Sequence, residues 1–237
     1  MKILVTRPEV DQQQTLAALH ALGIETLSSP VMEIVPLAFD LPDDPWQGII
    51  VTSRNGLRML AEEQIATLRH FPLYCVGKRT GELAKRLGFG VASPIAATVA
   101  ELGALLVERL DPHQGPVLYL AGRDRAGALE EVLKLSGFTV TLREIYQGKP
   151  SRTLSGEAED ALRTGHLDAI LLYSERSCRL LLSLIEKADL SDRLEKVVFY
   201  CLSPAVALPL EGLGYPLVVA DAPNERSLLE CVQNGHN

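Results

Sequence analysis

The sequence predicts an α/β fold: two lobes with parallel sheets, produced by an internal duplication. Three observations predict it. Short apolar runs alternate with amphipathic helical stretches along the 237 residues, and most runs open onto a polar turn. Residues 48–60 (GIIVTSRNGLRML) are echoed at residues 168–182 (DAILLYSERSCRLLL), each reading as strand, polar turn and helix. Two extended segments, each closed by Pro or Gly, interrupt this rhythm at residues 31–37 and near residues 139–152.

In chain order, residues 3–5 make a buried-type strand that opens onto Thr6-Arg7-Pro8. Leu16, Leu19 and Leu22 mark one face of the next helix, which Gly23 ends as a C-terminal cap. Residues 25–28 form a second strand. Four prolines punctuate residues 30–45, and VMEIVPL between them reads as an extended linker. After the stretch at 48–60, residues 73–76 form a strand, Gly77-Lys78-Arg79-Thr80 its turn, and Leu83 and Leu87 a helix that stops at Gly88.

Val91 begins another short strand. Thr98 and Glu101 have capping-box spacing before a helix through Leu102, Leu105 and Leu106. Residues 117–120 then lead into the turn Ala121-Gly122-Arg123-Asp124-Arg125, a helix through Leu129, Val132 and Leu133, and a stop at Gly137. Residues 139–146 are extended, and the polar QGKPSR that follows is a second linker.

The last third holds a polar helix near residues 157–163, a strand at 169–173 and a helix through Leu180, Leu181, Leu184 and Ile185. A strand at 197–202 precedes Ser203-Pro204, an N-cap with proline at the first helical position, and that helix ends near Gly212 or Gly214. A strand at 217–220 and a helix capped by Asn224 complete the chain.

The halves align. LVTRP matches LYLAGRDR, IIVTSRN matches ILLYSER, and LYCVGKRT matches VFYCLSPA with Tyr74-Cys75 against Tyr200-Cys201. Alternating βα units require parallel strands joined by right-handed crossovers, with helices on both faces.

A hydrophobic content of 47% supplies a core, and the net charge of −7 argues against nucleic-acid binding through a general basic surface. The four cysteines form no CxxC pair, so they are expected as reduced thiols in a cytoplasmic protein. No apolar run reaches the ~18 residues of a membrane span. The five histidines are scattered, without metal-ligand spacing.

Ligands of open parallel sheets bind beyond the carboxyl ends of the strands. Here those ends carry Thr6-Arg7, residues 52–56, residues 77–80, residues 122–125, residues 174–177 and Ser203, a set rich in hydroxyls and arginines. Each hydroxyl also suits an ordinary helix cap, and each cation a solvated surface. Their repetition at strand ends favours a cleft for carboxylates or phosphates. Residues 77–80 are no phosphate-binding Walker loop, since position 72 is Pro and Arg79 separates Lys78 from Thr80. Neither GxGxxG nor GxSxG follows a strand.

With the repeat, the linkers and the turns assembled, the chain resembles the uroporphyrinogen-III synthase family. The resemblance is carried by ILVTRP, IIVTSRNGL, CVGKRTGELAKRLGF, LYLAGRDRAGALEEVLKLSGFTVTLREIYQ and ILLYSERS in that order. It implies two flavodoxin-like lobes joined by a two-stranded linker. Residues 1–35 with 150–237 make the first lobe, residues 38–141 the second, and residues 31–37 and 142–150 the linker strands.

The resemblance further implies a monomeric, cofactor-independent lyase of heme biosynthesis that cyclises hydroxymethylbilane, with inversion of ring D and loss of water. The hydroxymethyl group would ionise to an azafulvene, whose bonding back to ring D gives a spiro intermediate which reopens and closes in the inverted sense. Tyr146, in REIYQ, matches the family's tyrosine near the cleft and is the candidate proton donor to the leaving hydroxyl. Arg7, Thr52, Ser53, Arg54, Lys78, Thr80, Gly122, Arg123, Ser174, Ser177 and Ser203 are the candidate substrate-binding residues. Ser203-Pro204-Ala205-Val206 stands where many members have Gly-Pro-Thr-Thr, so the threonine hydroxyls of that turn are missing here. The rival reading is a two-lobe binding protein that closes on an anionic metabolite without chemistry.

Overall fold

The computed structural model describes residues 1–125 and 128–236. The first βαβ piece is β1 (Lys2–Val5), α1 (Glu9–Ala21) and β2 (Glu25–Ser28), after which β3 (Met32–Pro36) follows. The middle of the chain runs β4 (Gly48–Val51), α2 (Arg54–Arg58), α3 (Glu62–Leu68), β5 (Leu73–Cys75), α4 (Lys78–Arg86), α5 (Val99–Arg109), β6 (Val117–Gly122) and α6 (Leu129–Leu135). Next come β7 (Val140–Pro150), α7 (Gly156–Arg163), β8 (Ala169–Leu172) and α8 (Glu175–Lys187). The chain closes with β9 (Val198–Cys201), α9 (Pro204–Ala207), β10 (Leu217–Val219) and α10 (Glu225–His236).

The strands form two five-stranded sheets, β10-β9-β8-β1-β2 and β3-β7-β6-β4-β5. The runs β9-β8-β1-β2 and β5-β4-β6-β7 are the same arrangement built twice, all parallel. They equate β8 with β4, β1 with β6 and β9 with β5, the pairs that the sequence repeat aligns. In one copy the central strand β1 precedes its neighbour β8 in the chain, whereas in the other β6 follows β4. The copies are therefore permuted.

The chain divides into two units, Met1–Glu33 with the chain from Lys149 onward, and Ile34–Gly148. Each has its own core. Leu4, Ile170, Leu172 and Phe199 point into one apolar cluster of the first sheet, while Ile3, Val5, Leu171 and Tyr200 point into another. In the second sheet Ile49, Val51, Leu118 and Leu120 alternate in the same way with Ile50, Tyr119 and Ala121. Both faces of a parallel sheet are covered, which is why these strands read as unbroken apolar runs rather than alternating ones.

The glycine stops behave as their chemistry requires: Gly23, Gly88 and Gly137 have φ of 71°, 86° and 86°, the left-handed region that costs a side-chain-bearing residue energy. At α5 the Glu101 N–H donates to Thr98 Oγ1 at 3.1 Å, and Glu101 Oε2 accepts from the N–H of Ala97 at 2.9 Å, one residue earlier than in a capping box. Thr98→Ala is expected to cost about 1 kcal/mol, read from a urea midpoint. An unchanged midpoint would show that water replaces the cap.

Two local expectations need revision. Val91 makes an isolated bridge with Leu73 rather than a strand, since Pro94 has no N–H with which to extend a ladder. Ser203 sits at the N-cap of α9 but makes no side-chain cap bond. That helix is four residues long before a 3-10 turn, Leu208–Leu210, where Pro209 cannot donate the next α-helical bond. Residues 142–150 lie within β7, one continuous strand from Val140 to Pro150. Over β7 the chain pairs with β6 along Val140–Tyr146 and also neighbours β3.

Candidate active site

The carboxyl ends of the second sheet carry most of the expected residues. Ser53 caps α2, its Oγ accepting from the Asn55 N–H at 3.2 Å, and Arg58 Nη1 holds Asn55 Oδ1 at 3.0 Å. Thr52 Oγ1 lies 3.3 Å from the Tyr119 phenol oxygen, so the turn after β4 is tied to β6. Arg54 is the first residue of α2. Lys78 is exposed at the start of α4, whereas Thr80, two residues on, is buried with 5% exposure.

Gly122 and Tyr146 meet. The register between β6 and β7 slips after Ala121, which pairs with Glu144, so that Gly122 pairs with Tyr146 and Ile145 is the extra residue. A Cβ on Gly122 would stand 2.7 Å from two carbons of the Tyr146 ring. No larger residue fits beneath that ring without moving it.

Arg123, expected to grip a substrate carboxylate, is engaged inside its own unit. Its backbone N–H donates to the Tyr146 carbonyl at 2.9 Å, Nε to Glu144 Oε2 at 3.1 Å and Nη1 to Gln147 Oε1 at 3.0 Å. Arg125 Nη1 holds the other Glu144 oxygen at 2.8 Å. Hydrogen bonds from Arg125 and then Arg123 hold the Glu144 carboxyl below its ordinary 4.5. A depressed carboxyl stabilises the fold above its unfolded-state value, and that contribution is lost as pH falls through the lower folded value. The difference in denaturation midpoint between wild type and Glu144→Gln is therefore expected to shrink below about pH 4. A gap that persists undiminished at pH 2 would remove the ion pair as its source.

In the first sheet, Ser174 caps α8: its Oγ accepts from the Ser177 N–H at 3.1 Å and lies 2.8 Å from the Ser177 hydroxyl. Ser177 is buried. Arg7 is engaged as well, since Nη1 meets Glu225 Oε1 at 3.0 Å and Thr15 Oγ1 at 3.1 Å, and its guanidinium carbon lies 4.1 Å from the Tyr173 ring centroid. Thr15 also donates to Glu225. Burial, foremost, pushes the Tyr173 phenol above its ordinary 10.0, so it stays protonated at neutral pH.

The expected residues thus fall into two strand-end groups, one per unit. Sequence reasoning missed Glu144, Tyr173 and Glu225. Tyr173 had a signal, because it aligns with Thr52 in the repeat. Glu225 had none, since 218 positions separate it from Arg7.

Cys75, Cys178 and Cys201 are buried, and burial raises the thiols of Cys178 and Cys201 to about 11 and about 12. Among the described residues no group of three His, Cys, Asp or Glu side chains is arranged to hold a metal ion. No helix among the described residues is long and apolar enough to cross a membrane.

The family model for uroporphyrinogen-III synthase HemD matches residues 13–230. The chain belongs to the uroporphyrinogen-III synthase family. The family's activity, in tetrapyrrole biosynthesis, is its function. The uroporphyrinogen-III synthase of Chlorobaculum parvum is 25% identical over 206 residues, spanning 81% of this chain and 82% of the relative. A relative from Archaeoglobus fulgidus is 26% identical over 229 residues, 95% of this chain and 93% of its own. Among solved structures, uroporphyrinogen-III synthetase from Helicobacter pylori superposes with a TM-score of 0.70 at 18% identity, covering 99% of both chains. A mutant uroporphyrinogen III synthase from Thermus thermophilus gives 0.55 at 16% identity, over 100% of this chain and 99% of that one. The two structures bear on the fold.

Proposed function

We propose that this member of the uroporphyrinogen-III synthase family acts as a cyclising lyase, with Tyr146 giving a proton to the leaving hydroxyl of hydroxymethylbilane. The observation that carries the proposal is the setting of Tyr146. Its ring lies against Gly122 at the carboxyl end of β6, where parallel sheets present their ligand sites. A neutral phenol can donate its proton to the hydroxyl oxygen as the C–O bond breaks, so that water leaves and the former hydroxymethyl carbon becomes the electrophilic azafulvene carbon that ring D attacks.

Within each unit the strand-end hydroxyls and cations, Thr52, Ser53, Arg54 and Lys78 in one and Ser174 and Ser203 in the other, are the candidates to hold substrate carboxylates, whereas Thr80 and Ser177 are buried. Part of the rate gain is then entropic, because a flexible chain is held with its reacting ends together. Arg7 and Arg123 enter differently. Each is paired to a carboxylate of its own unit, Glu225 and Glu144, so each orients neighbouring groups unless the substrate displaces that partner.

The test is to supply hydroxymethylbilane and separate the product isomers. The type III isomer is expected to dominate. Exclusive formation of the type I isomer would overturn the assignment, and tetrapyrrole binding without turnover would favour the two-lobe binding protein.

A further inference from the structure

We infer that the turn after β6 is a cradle that aims the Tyr146 ring, with Gly122 as its positioning residue rather than a group that touches substrate. The inference rests on the proposed role of Tyr146 and adds what holds that side chain in place.

The contacts enclose the tyrosine from below and along both flanks of its strand. Beneath it, Gly122 leaves only a hydrogen where a Cβ would meet two ring carbons at 2.7 Å and the phenol oxygen at 3.0 Å. Before it, Glu144 is clamped by Arg123 and Arg125 of the turn. After it, the Gly148 N–H donates to Asp124 Oδ2 at 3.2 Å, and the carbonyl of Tyr146 itself accepts from the Arg123 N–H. Three successive turn residues thus reach across to four positions of β7.

The strand irregularity makes this geometry. Bulges are rare between parallel strands, and they serve to re-aim a side chain or to end the pairing; this one does both, since Gly122 and Tyr146 are the last pair of the ladder. The extra residue, Ile145, is fully buried and anchors the slip in the core while Tyr146 comes opposite Gly122. The smallest residue and the ring that needs its space are brought together by a single register shift.

The experiment is a double-mutant cycle of Gly122→Ala and Tyr146→Ala, with Tyr146→Phe alongside, reading kcat, KM and the urea midpoint. Gly122→Ala is expected to lower kcat by about 10²-fold, as for a reacting group displaced by about an ångström, with KM little changed. In the Tyr146→Ala background, where no ring remains to be displaced, it should add no further loss of kcat. If Gly122→Ala alone folds poorly, the same cycle reads the contact through stability, because the double variant should recover the midpoint. Full kcat in Gly122→Ala, or an equal loss with and without the tyrosine ring, overturns the cradle while leaving Tyr146 as donor. Full kcat in Tyr146→Phe overturns the donor assignment on which the cradle rests.

Discussion

Tyr146→Phe is expected to lower kcat by about 10²- to 10⁴-fold, the range for loss of a positioned general acid, while leaving the fold intact. Phenylalanine keeps the ring that packs against Gly122 and loses only the hydroxyl, so the packing argument and the proton-transfer argument separate cleanly. KM should change little if carboxylate contacts from the strand-end turns dominate binding. The residual product is informative too. If ionisation is slowed but ring orientation is kept, what does form should still be the type III isomer. A wild-type rate in Tyr146→Phe would remove Tyr146 from the acid role and turn attention to the other hydroxyls at the strand ends.

Glu225→Ala is expected to destabilise the first unit by roughly 3 kcal/mol or more, because it strands a largely buried cation. The Arg7 and Glu225 side chains are 15% and 11% exposed, so neither is solvated as a surface ion pair would be. Removing Glu225 also removes the acceptor for Thr15 and leaves Arg7 with only Thr15 and the Tyr173 ring among these contacts. The paired replacement Arg7→Met with Glu225→Leu should recover most of the loss, since an apolar pair of similar volume carries no desolvation cost. Chemical denaturation of the two variants checks this. A single mutant as stable as wild type would mean that water reaches Arg7.

The strand-end groups differ in how they were reached from sequence. Ser53, Ser174 and Thr98 were legible because a hydroxyl before an apolar helical period reports a local event, the capping of N–H groups two or three residues on. The two sheets were legible through the repeat, because the apolar runs that align in sequence occupy matching places in each sheet. Ser203 shows the limit of that reasoning. It has the sequence of a cap and the extended backbone of a cap, φ −161° and ψ 166°, but its hydroxyl does not make the bond.

By itself the sequence determined the βα rhythm, the glycine stops, the duplication and the strand ends at which the hydroxyls and cations stand. These depend on periodicity, local propensity and short-range hydrogen bonds, all written within a few residues of where they act. Only the tertiary structure decided which charges those strand ends keep for themselves. Arg7 meets Glu225 across 218 positions, and Arg123 meets Glu144 across 21. It also decided that a one-residue slip in β7 seats Tyr146 on Gly122. Pairing register and long-range ion pairs are selected by the packing of whole elements, and no local pattern encodes them.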